Sequence, residues 1–212
     1  MTTPVWYAAY GSNLSAQRFA RYLEGGRAAG AQRTHPGARD ATPPSGVRPV
    51  RLPGQVFFAG ESSSWGGGVA YLDVAVQGEA LGRAYRITDE QLADVVAQEM
   101  HREPGEIIDL PGVLAAQTLA LGDGDYETLH VVGELDGEPV LTFTCPDGAA
   151  PQLGLAAPSR PYVEVIARGL LDAHDLQPRE VLAYLEGLPG VRGEWTSADL
   201  RTTVLAAATA PA

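Results

Sequence analysis

The N-terminal segment changes from a strand pattern to a helix pattern across a very short turn. Residues 5–10 are apolar or aromatic, which is typical of a buried strand, and residues 15–23 have the spacing of a helix. The Gly-Ser-Asn sequence at 11–13 joins them, and Gly and Asn tolerate the unusual dihedral angles of such a junction. Backbone N–H groups point outward from a turn of this kind, so it suits a carboxylate or an oxyanion. The same residues also serve purely structural turns, so the turn alone leaves both interpretations open.

Further strands and helices follow at uneven spacing. We expect strands at 55–59, 68–73 and 80–87, a hairpin of 126–135 and 138–145, and helices beginning near 89, 159 and 178, the last two ending near 174 and 188. Thr88 as N-cap and Gln91 at the third helical position fit a capping box. This mixture predicts an α+β domain around a curled, mixed sheet.

The predicted organisation is a single domain over residues 1–190 followed by a C-terminal tail at 191–212. Within the domain, residues 25–54 are rich in Gly, Pro and Arg and show no periodicity, so we expect a long loop there. A loop of that length in a compact domain is usually functional or mobile. The tail after Trp195 is rich in Ala and Thr and is expected to fray.

The charge of the chain disfavours some classes of partner. The formal net charge is -11, so nonspecific binding to nucleic acid or to an anionic membrane is not expected. No apolar run approaches the roughly twenty residues of a membrane-spanning helix, and the start of the chain lacks the pattern of a signal peptide. The single cysteine, Cys145, is compatible with a reducing cytosol, so a cytoplasmic location is expected.

Arginine provides every basic residue, which is typical of a GC-rich bacterial genome. Residues 1–60 hold seven arginines and two acidic residues, a local excess of +5. We interpret this excess either as solvated loop charge or as contacts to a substrate carboxylate, which the guanidinium fork suits. The candidates for such a contact are Arg33, Arg39, Arg48 and Arg51.

A glutamate occupies an apolar position of the central helix. Leu92, Val95, Val96 and Glu99 follow the i, i+3, i+4, i+7 spacing of one helix face. Burial and the negative end of the helix dipole both favour the neutral carboxyl, which suits a general base and acid. The alternative is that the helix ends early and Glu99 points into solvent. His101 is a rival base, although its surroundings predict an exposed loop.

No His or Cys arrangement has metal-ligand spacing, so no metal is expected. Asp123-Gly124-Asp125 lacks the rest of a calcium-binding loop and is interpreted as a turn. The sequence also contains no P-loop, dinucleotide fingerprint or GxSxG motif.

Four stretches occur in an order that is shared with a known family. They are YAAYGSNL (7–14), GQVFFAGESSSWGGGVAYL (54–72), GRAYRITDEQLADVVAQE (82–99) and PSRPYVEVIARGLLDAHDL (158–176). Together they resemble the γ-glutamylcyclotransferase superfamily. The resemblance implies an α+β fold with a small mixed β-barrel flanked by helices, and no metal or organic cofactor. The segments 25–54 and 100–125 depart from the family pattern, so the leaving group stays open.

The resemblance also implies a reaction. The α-amine of a γ-glutamyl compound attacks its own γ-carbonyl, giving 5-oxoproline and a free amine or amino acid. Glu99 would accept a proton from the attacking amine and return it to the departing amine. The substrate-binding residues that the resemblance implies are Tyr7, Ala8, Ala9, Tyr10, Gly11, Ser12, Asn13 and Tyr162.

Two other functions remain open at this point. One is a non-catalytic module of the same fold that binds a small carboxylate, since a retained fold does not prove turnover. The other is an amide hydrolase that uses water in place of the internal amine. In each case the expected partner is a small molecule rather than nucleic acid or membrane, and a homodimer is left open.

Overall fold

The strands form one large mixed sheet and one small hairpin. The computed structural model describes residues 2–27, 31–124, 126–146 and 153–209, and the statements below concern these residues. The strands are β1 (Pro4–Ala9), β2 (Gly46–Pro53), β3 (Gln55–Ala59), β4 (Val69–Asp73), β5 (Glu79–Thr88), β6 (Thr118–Ala120), β7 (Thr128–Leu135) and β8 (Glu138–Thr144). Six of them lie in the order β2-β5-β1-β8-β7-β6, while β3 pairs with β4. The β1–β8 pair is parallel and every other neighbouring pair is antiparallel.

Helices cover both faces of the large sheet. They are α1 (Ala16–Glu24), α2 (Asp89–Glu99), α3 (Leu110–Ala116), α4 (Arg160–His174), α5 (Pro178–Glu186) and α6 (Ser197–Thr209). A short 3₁₀ turn, Ser12–Leu14, joins β1 to α1. The capping box predicted at the start of α2 is confirmed, since Thr88 and Gln91 exchange both hydrogen bonds.

Strand β1 lies between two apolar cores. Its side chains at 6 and 8, and Tyr10 just after it, pack in the core that includes α4, α5 and α6. Its side chains at 5, 7 and 9 pack in the core that includes α1, α2 and α3. Burial on both faces explains why this strand is a continuous apolar run rather than an alternating one. The C-terminal end of β1 is therefore held firmly where it leaves the sheet.

The α+β class is confirmed, but the predicted β-barrel is wrong because the sheet stays open. Strands β2 and β6 are its two edges. The β3–β4 pair is attached to β8 through a side chain rather than through a backbone ladder. Leu72 donates its N–H to Thr144 Oγ1 at 2.8 Å, and Thr144 Oγ1 donates to the Leu72 carbonyl at 3.0 Å.

The predicted long loop at 25–54 is wrong in its last part, where Gly46–Pro53 forms strand β2. This strand pairs with β5 along its whole length and has a largely exposed edge. Proline lacks an N–H and is tolerated on an edge strand. Pro49 and Pro53 therefore make the strand hard to predict from the sequence, although they are compatible with it. Residues 28–30 of the predicted loop lie outside the described residues.

The prediction of a frayed C-terminal tail is also wrong. Residues Ser197–Thr209 form α6, which buries Leu200 and Val204 in the core beside α4. Thr196 Oγ1 accepts the N–H of Asp199 at 3.1 Å and begins the helix. This Thr-x-x-Asp spacing is a helix-start signal. Residues 210–212 of the tail and Asp125 of the predicted 123–125 turn lie outside the described residues.

The described residues contain neither a membrane-spanning helix nor a cluster of metal ligands. No helix among them has the length and apolar character needed to cross a bilayer. No three His, Cys, Asp or Glu side chains among them come together in a way that would hold a metal ion.

Candidate active site

A cavity of about 390 Å³ opens where β1 leaves the sheet. Its wall combines the turn after β1, the C-terminal end of α2, the segment between β3 and β4, and several tyrosines. These parts come from distant regions of the sequence, so only the folded chain brings them together. This cavity is called the first cavity below.

Glu99 is the last residue of α2 and lies half-buried in the wall of the first cavity. Its Oε1 accepts hydrogen bonds from the Tyr22 hydroxyl and from Asn13 Nδ2, the latter at 3.3 Å. The helix therefore continues as far as Glu99, and the carboxylate faces the first cavity. His101 is exposed, as its surroundings predicted, although it also borders this cavity.

Asn13 connects the turn to this carboxylate. Its Nδ2 also lies 3.2 Å from the Tyr7 hydroxyl oxygen. Its main-chain carbonyl accepts a hydrogen bond from the Tyr85 hydroxyl at 2.7 Å. The side-chain Oδ1 is buried and has no hydrogen-bond partner among the described residues. A buried acceptor without a partner is costly, so this oxygen destabilises the turn locally.

Gly11 leaves space for Tyr162 and does not have a left-handed backbone. Its φ of -108 is negative. A Cβ atom at this position would lie 3.1 Å from the Tyr162 hydroxyl oxygen. Tyr162 stacks on Trp65 with ring centres 5.6 Å apart, so it has little freedom to retreat. A side chain at residue 11 would therefore crowd Tyr162 and require a shift of a few tenths of an ångström.

Arg18 forms a buried chain of polar contacts behind Glu99. Its guanidinium group bonds His35 Nε2 at 2.8 Å and donates to the Tyr22 hydroxyl oxygen at 3.1 Å. Arginine only donates hydrogen bonds, so His35 Nε2 accepts and the ring proton lies on Nδ1. The Tyr22 oxygen likewise accepts from Arg18, which leaves the phenol hydrogen for Glu99.

Burial keeps the partners in this chain neutral. It lowers the pKa of His35 to about 3, with the charges of Arg18 and Arg33 acting in the same direction. Burial also raises the pKa of Tyr22 well above its ordinary value, and the negative charge of Glu99 adds to that shift. His35 is therefore a neutral acceptor and Tyr22 a neutral donor near neutral pH.

A second group of tyrosines forms the far wall of the first cavity. The Tyr10 hydroxyl donates to the Phe143 carbonyl at 2.9 Å, and the Tyr126 hydroxyl donates to the Ala70 carbonyl at 2.9 Å. The Tyr162 hydroxyl accepts the N–H of Ala70 at 3.4 Å. These bonds hold the hydroxyl groups in place and tie the hairpin of β3 and β4 to this wall.

Most of the sequence-predicted site residues border the first cavity, namely Tyr7, Tyr10, Gly11, Ser12, Asn13, Glu99 and Tyr162. Ala8 and Ala9 do not, because they are fully buried within β1. The Ala8 carbonyl instead accepts a hydrogen bond from Thr142 at 2.8 Å. The part that these two alanines play is structural.

Of the four candidate arginines, only Arg33 borders the first cavity. Arg39 pairs with Asp94, and Arg51 pairs with Glu79. Arg48 is exposed and donates to a neighbouring carbonyl. The other three arginines are therefore not placed to contact a ligand there.

Sequence reasoning missed Arg18, Tyr22, Trp65 and Tyr126. A signal existed for the first two. They are four residues apart on the buried face of α1, where Arg18 is out of place beside Phe19. Tyr126 joins the site only through the tertiary fold.

No family model matches this chain. The chain is 31% identical over 201 residues to Histone deacetylase 5 of Arabidopsis thaliana, and the match covers 86% of this chain and 30% of that protein. This chain therefore spans less than a third of the length of that curated relative.

Two solved structures share the fold. One is gamma-glutamyl cyclotransferase, with a TM-score of 0.51, 16% sequence identity, and coverage of 96% of this chain and 99% of the other. The second is an uncharacterised protein from Homo sapiens, with a TM-score of 0.51, 16% identity, and coverage of 95% and 98%. The chain therefore has a γ-glutamylcyclotransferase-like fold, which confirms at the level of the fold the resemblance drawn from the four sequence stretches.

Proposed function

We propose that this protein is an enzyme that cyclises a γ-glutamyl amine or a γ-glutamyl amino acid to 5-oxoproline and a free amine, with Glu99 as the proton acceptor and donor. The observation that carries the proposal is the position of the Glu99 carboxylate. It faces a sheltered cavity 3.3 Å from the side-chain amide of Asn13, beside the turn after β1. The shared fold supports the same class of reaction.

The chemistry uses an internal nucleophile. The substrate α-amine attacks the γ-carbonyl carbon, forming the ring C–N bond, and Glu99 takes a proton from that amine. The amide C–N bond then breaks, and Glu99 returns the proton to the departing nitrogen. The cavity contributes by holding the flexible glutamyl chain in a folded conformation, which removes much of the entropic barrier to ring closure.

The turn after β1 supplies groups for the substrate. The Asn13 side chain borders the first cavity beside Glu99, so it lies where the substrate amine would be presented to that carboxylate. The backbone N–H groups at Gly11 and Ser12 either stabilise the oxyanion that develops on the γ-carbonyl or bind the substrate α-carboxylate.

Tyr22 and Arg18 position the base. Oε1 of Glu99 is occupied by the Tyr22 hydroxyl and by Asn13. The second carboxylate oxygen is then the one that receives the substrate proton. Because Arg18 donates to the Tyr22 oxygen, the phenol hydrogen points to Glu99. Loss of either residue should disturb the orientation of the base without removing it.

The test is Glu99→Gln, assayed for 5-oxoproline release from a panel of γ-glutamyl compounds. We expect kcat/KM to fall by about 10²- to 10⁴-fold, the usual contribution of a general base. Tyr22→Phe should cost about 10- to 100-fold, since it deletes a hydrogen bond to a charged group. Glu103→Gln is the matched control, because Glu103 is exposed on the loop that follows α2.

The outcomes separate the remaining alternatives. Unchanged release by Glu99→Gln would remove Glu99 from the mechanism. Tight binding of 5-oxoproline without turnover of any compound would indicate a binding module. Free glutamate in place of the lactam, detected by mass spectrometry, would indicate a hydrolase.

A further inference from the structure

A second cavity of about 440 Å³ lies beside the first and shares Arg18 and Trp65 with it. It is bordered by the start of α1, by the first half of α4 and by Arg27. Neither the turn after β1 nor Glu99 borders it. It is called the second cavity below.

The second cavity gathers positive charge. Its wall contains Arg18, Arg21, Arg27 and Arg168, and the acidic residue in that wall is Glu164. The protein as a whole carries a net charge of -11 and has 15 arginines, so four around one cavity is a local reversal of sign. An anion in this cavity would lie among these guanidinium groups, where the local potential favours it.

The positive charge of Arg21 is partly compensated. It pairs with Glu24 at 2.7 Å, and both side chains are at least one-third exposed. Exposed pairs of this kind are weak and screened by salt. The pair therefore reduces the local charge without supplying a counter-charge to the cavity interior.

The surroundings of Arg18 are a second, independent indication of an anion-binding site. Its side chain is 3% exposed, and no carboxylate lies within 4 Å of it in the part of the chain that the structure describes. Its two Nη atoms are bonded to His35 and Tyr22, and neither of these partners carries a negative charge. A buried guanidinium without a direct counter-charge is costly, so a bound anion would complete its surroundings.

We propose that the second cavity binds an anionic group, either a carboxylate or a phosphate, held by Arg18, Arg27 and Arg168. Guanidinium groups suit both anions because their planar N–H forks match paired oxygens. Arg168 projects from α4 and Arg27 follows α1, so the two approach the cavity from different elements. The proposal does not depend on the cyclisation reaction.

We expect an anion bound in the second cavity to alter the hydrogen bonding of Glu99. An anion beside Arg18 competes for the guanidinium that donates to Tyr22, and Tyr22 in turn donates to Glu99. Coupling between two sites is reciprocal, so a ligand in the first cavity changes the affinity of the anion by the same factor.

The test is calorimetric titration of the full chain at low salt with inorganic phosphate and, separately, with succinate. We expect one or both to bind, and the better probe identifies the anion class. Arg27→Ala and Arg168→Ala should each weaken binding about 5- to 10-fold, the effect of losing one charge-assisted contact at a partly exposed site. Glu99→Gln should still bind the anion.

Two control variants keep the proposal falsifiable. Arg48→Ala removes the same charge from an exposed position on β2, and it should bind within about twofold of the wild type. Arg33→Ala removes a charge from the first cavity alone. Absence of binding to the wild type at about 10 mM, an equal loss in Arg48→Ala, or a loss confined to Arg33→Ala would each overturn the assignment.

Discussion

Gly169 offers a way to move the turn after β1 without touching a residue of the first cavity. It lies in α4, where the helix packs against that turn. A Cβ added at Gly169 would lie 2.4 Å from Leu14 Cβ, 2.5 Å from the Leu14 carbonyl carbon and 2.7 Å from Ser15 N. Two of these atoms are backbone atoms, so a side-chain rotation cannot relieve the clash. In Gly169→Ala either α4 or the turn has to shift.

The size of the effect follows from these distances. Carbon atoms in contact normally lie about 3.5–4.0 Å apart, so the added methyl demands a shift of about 1 Å. Overpacking of this kind costs about 1–3 kcal/mol, and Ala returns about 0.5–1 kcal/mol in a helix interior. Because the clash is with backbone, we expect the free energy of unfolding to fall by about 2 kcal/mol. A misplacement of about 1 Å in a catalytic site costs about 100-fold in rate.

Two measurements on one variant check this reasoning. Urea unfolding followed by circular dichroism gives the free energy, and 5-oxoproline release gives kcat/KM. The control is Gly187→Ala at the end of α5, where φ is -76 and the nearest atom would lie 3.3 Å from the added methyl. Unchanged stability in Gly169→Ala would refute the packing argument. Reduced stability with full activity would refute the predicted loss of rate and would show that the clash is relieved without moving the turn.

Two further predictions concern the buried polar groups behind the site. Burial lowers the pKa of His35 from 6.5 to about 3, so the unfolded state takes up a proton at higher pH than the folded state does. The free energy of unfolding is therefore expected to decrease as pH falls from about 6.5 to about 3. In His35→Gln this decrease should be smaller when measured by denaturant unfolding, and an equal decrease in the variant and the wild type would contradict the argument. Asp94 is fully buried; its Oδ1 accepts from Arg39 Nε and from the N–H of Gly105, each at 3.0 Å, and its Oδ2 accepts the backbone N–H of Arg39 at 2.9 Å. Asp94→Asn should lower the free energy of unfolding by about 2–3 kcal/mol, because an amide cannot accept all of these bonds; a thermal unfolding midpoint equal to that of the wild type would disagree.

The elements that the sequence predicted well are those with local signals. The capping box of Thr88 and Gln91 needs only residues three apart, and it begins α2 as expected. The Asp136-Gly137 turn likewise joins β7 and β8. In these cases the sequence neighbours are also the spatial neighbours, so propensity and capping suffice.

The predictions that failed depended on distant partners. Strand β2 is an edge strand that obtains its hydrogen bonds from β5, whose paired residues lie 26 to 40 positions later in the chain. The residues of β2 alone do not predict its pairing with β5, and its prolines disfavour a strand prediction. Closure of the sheet likewise depends on how β3 and β4 dock. That docking uses side chains from distant parts of the chain, such as Thr144 and Tyr126, and no local pattern in the sequence predicts it.

The candidate site depends partly on local sequence signals and partly on contacts between distant residues. Gly11, Asn13, Arg18 and Tyr22 lie within one short segment whose geometry is set by the turn and by the Ser15 cap of α1. That segment can be recognised in the sequence because its parts must stay in fixed register. Glu99 reaches it from 86 residues away through the packing of α2 beside β1 and α1. The carboxylate is thus the component whose position depends most on the whole fold, and its hydrogen bonds to Tyr22 and Asn13 fix its orientation.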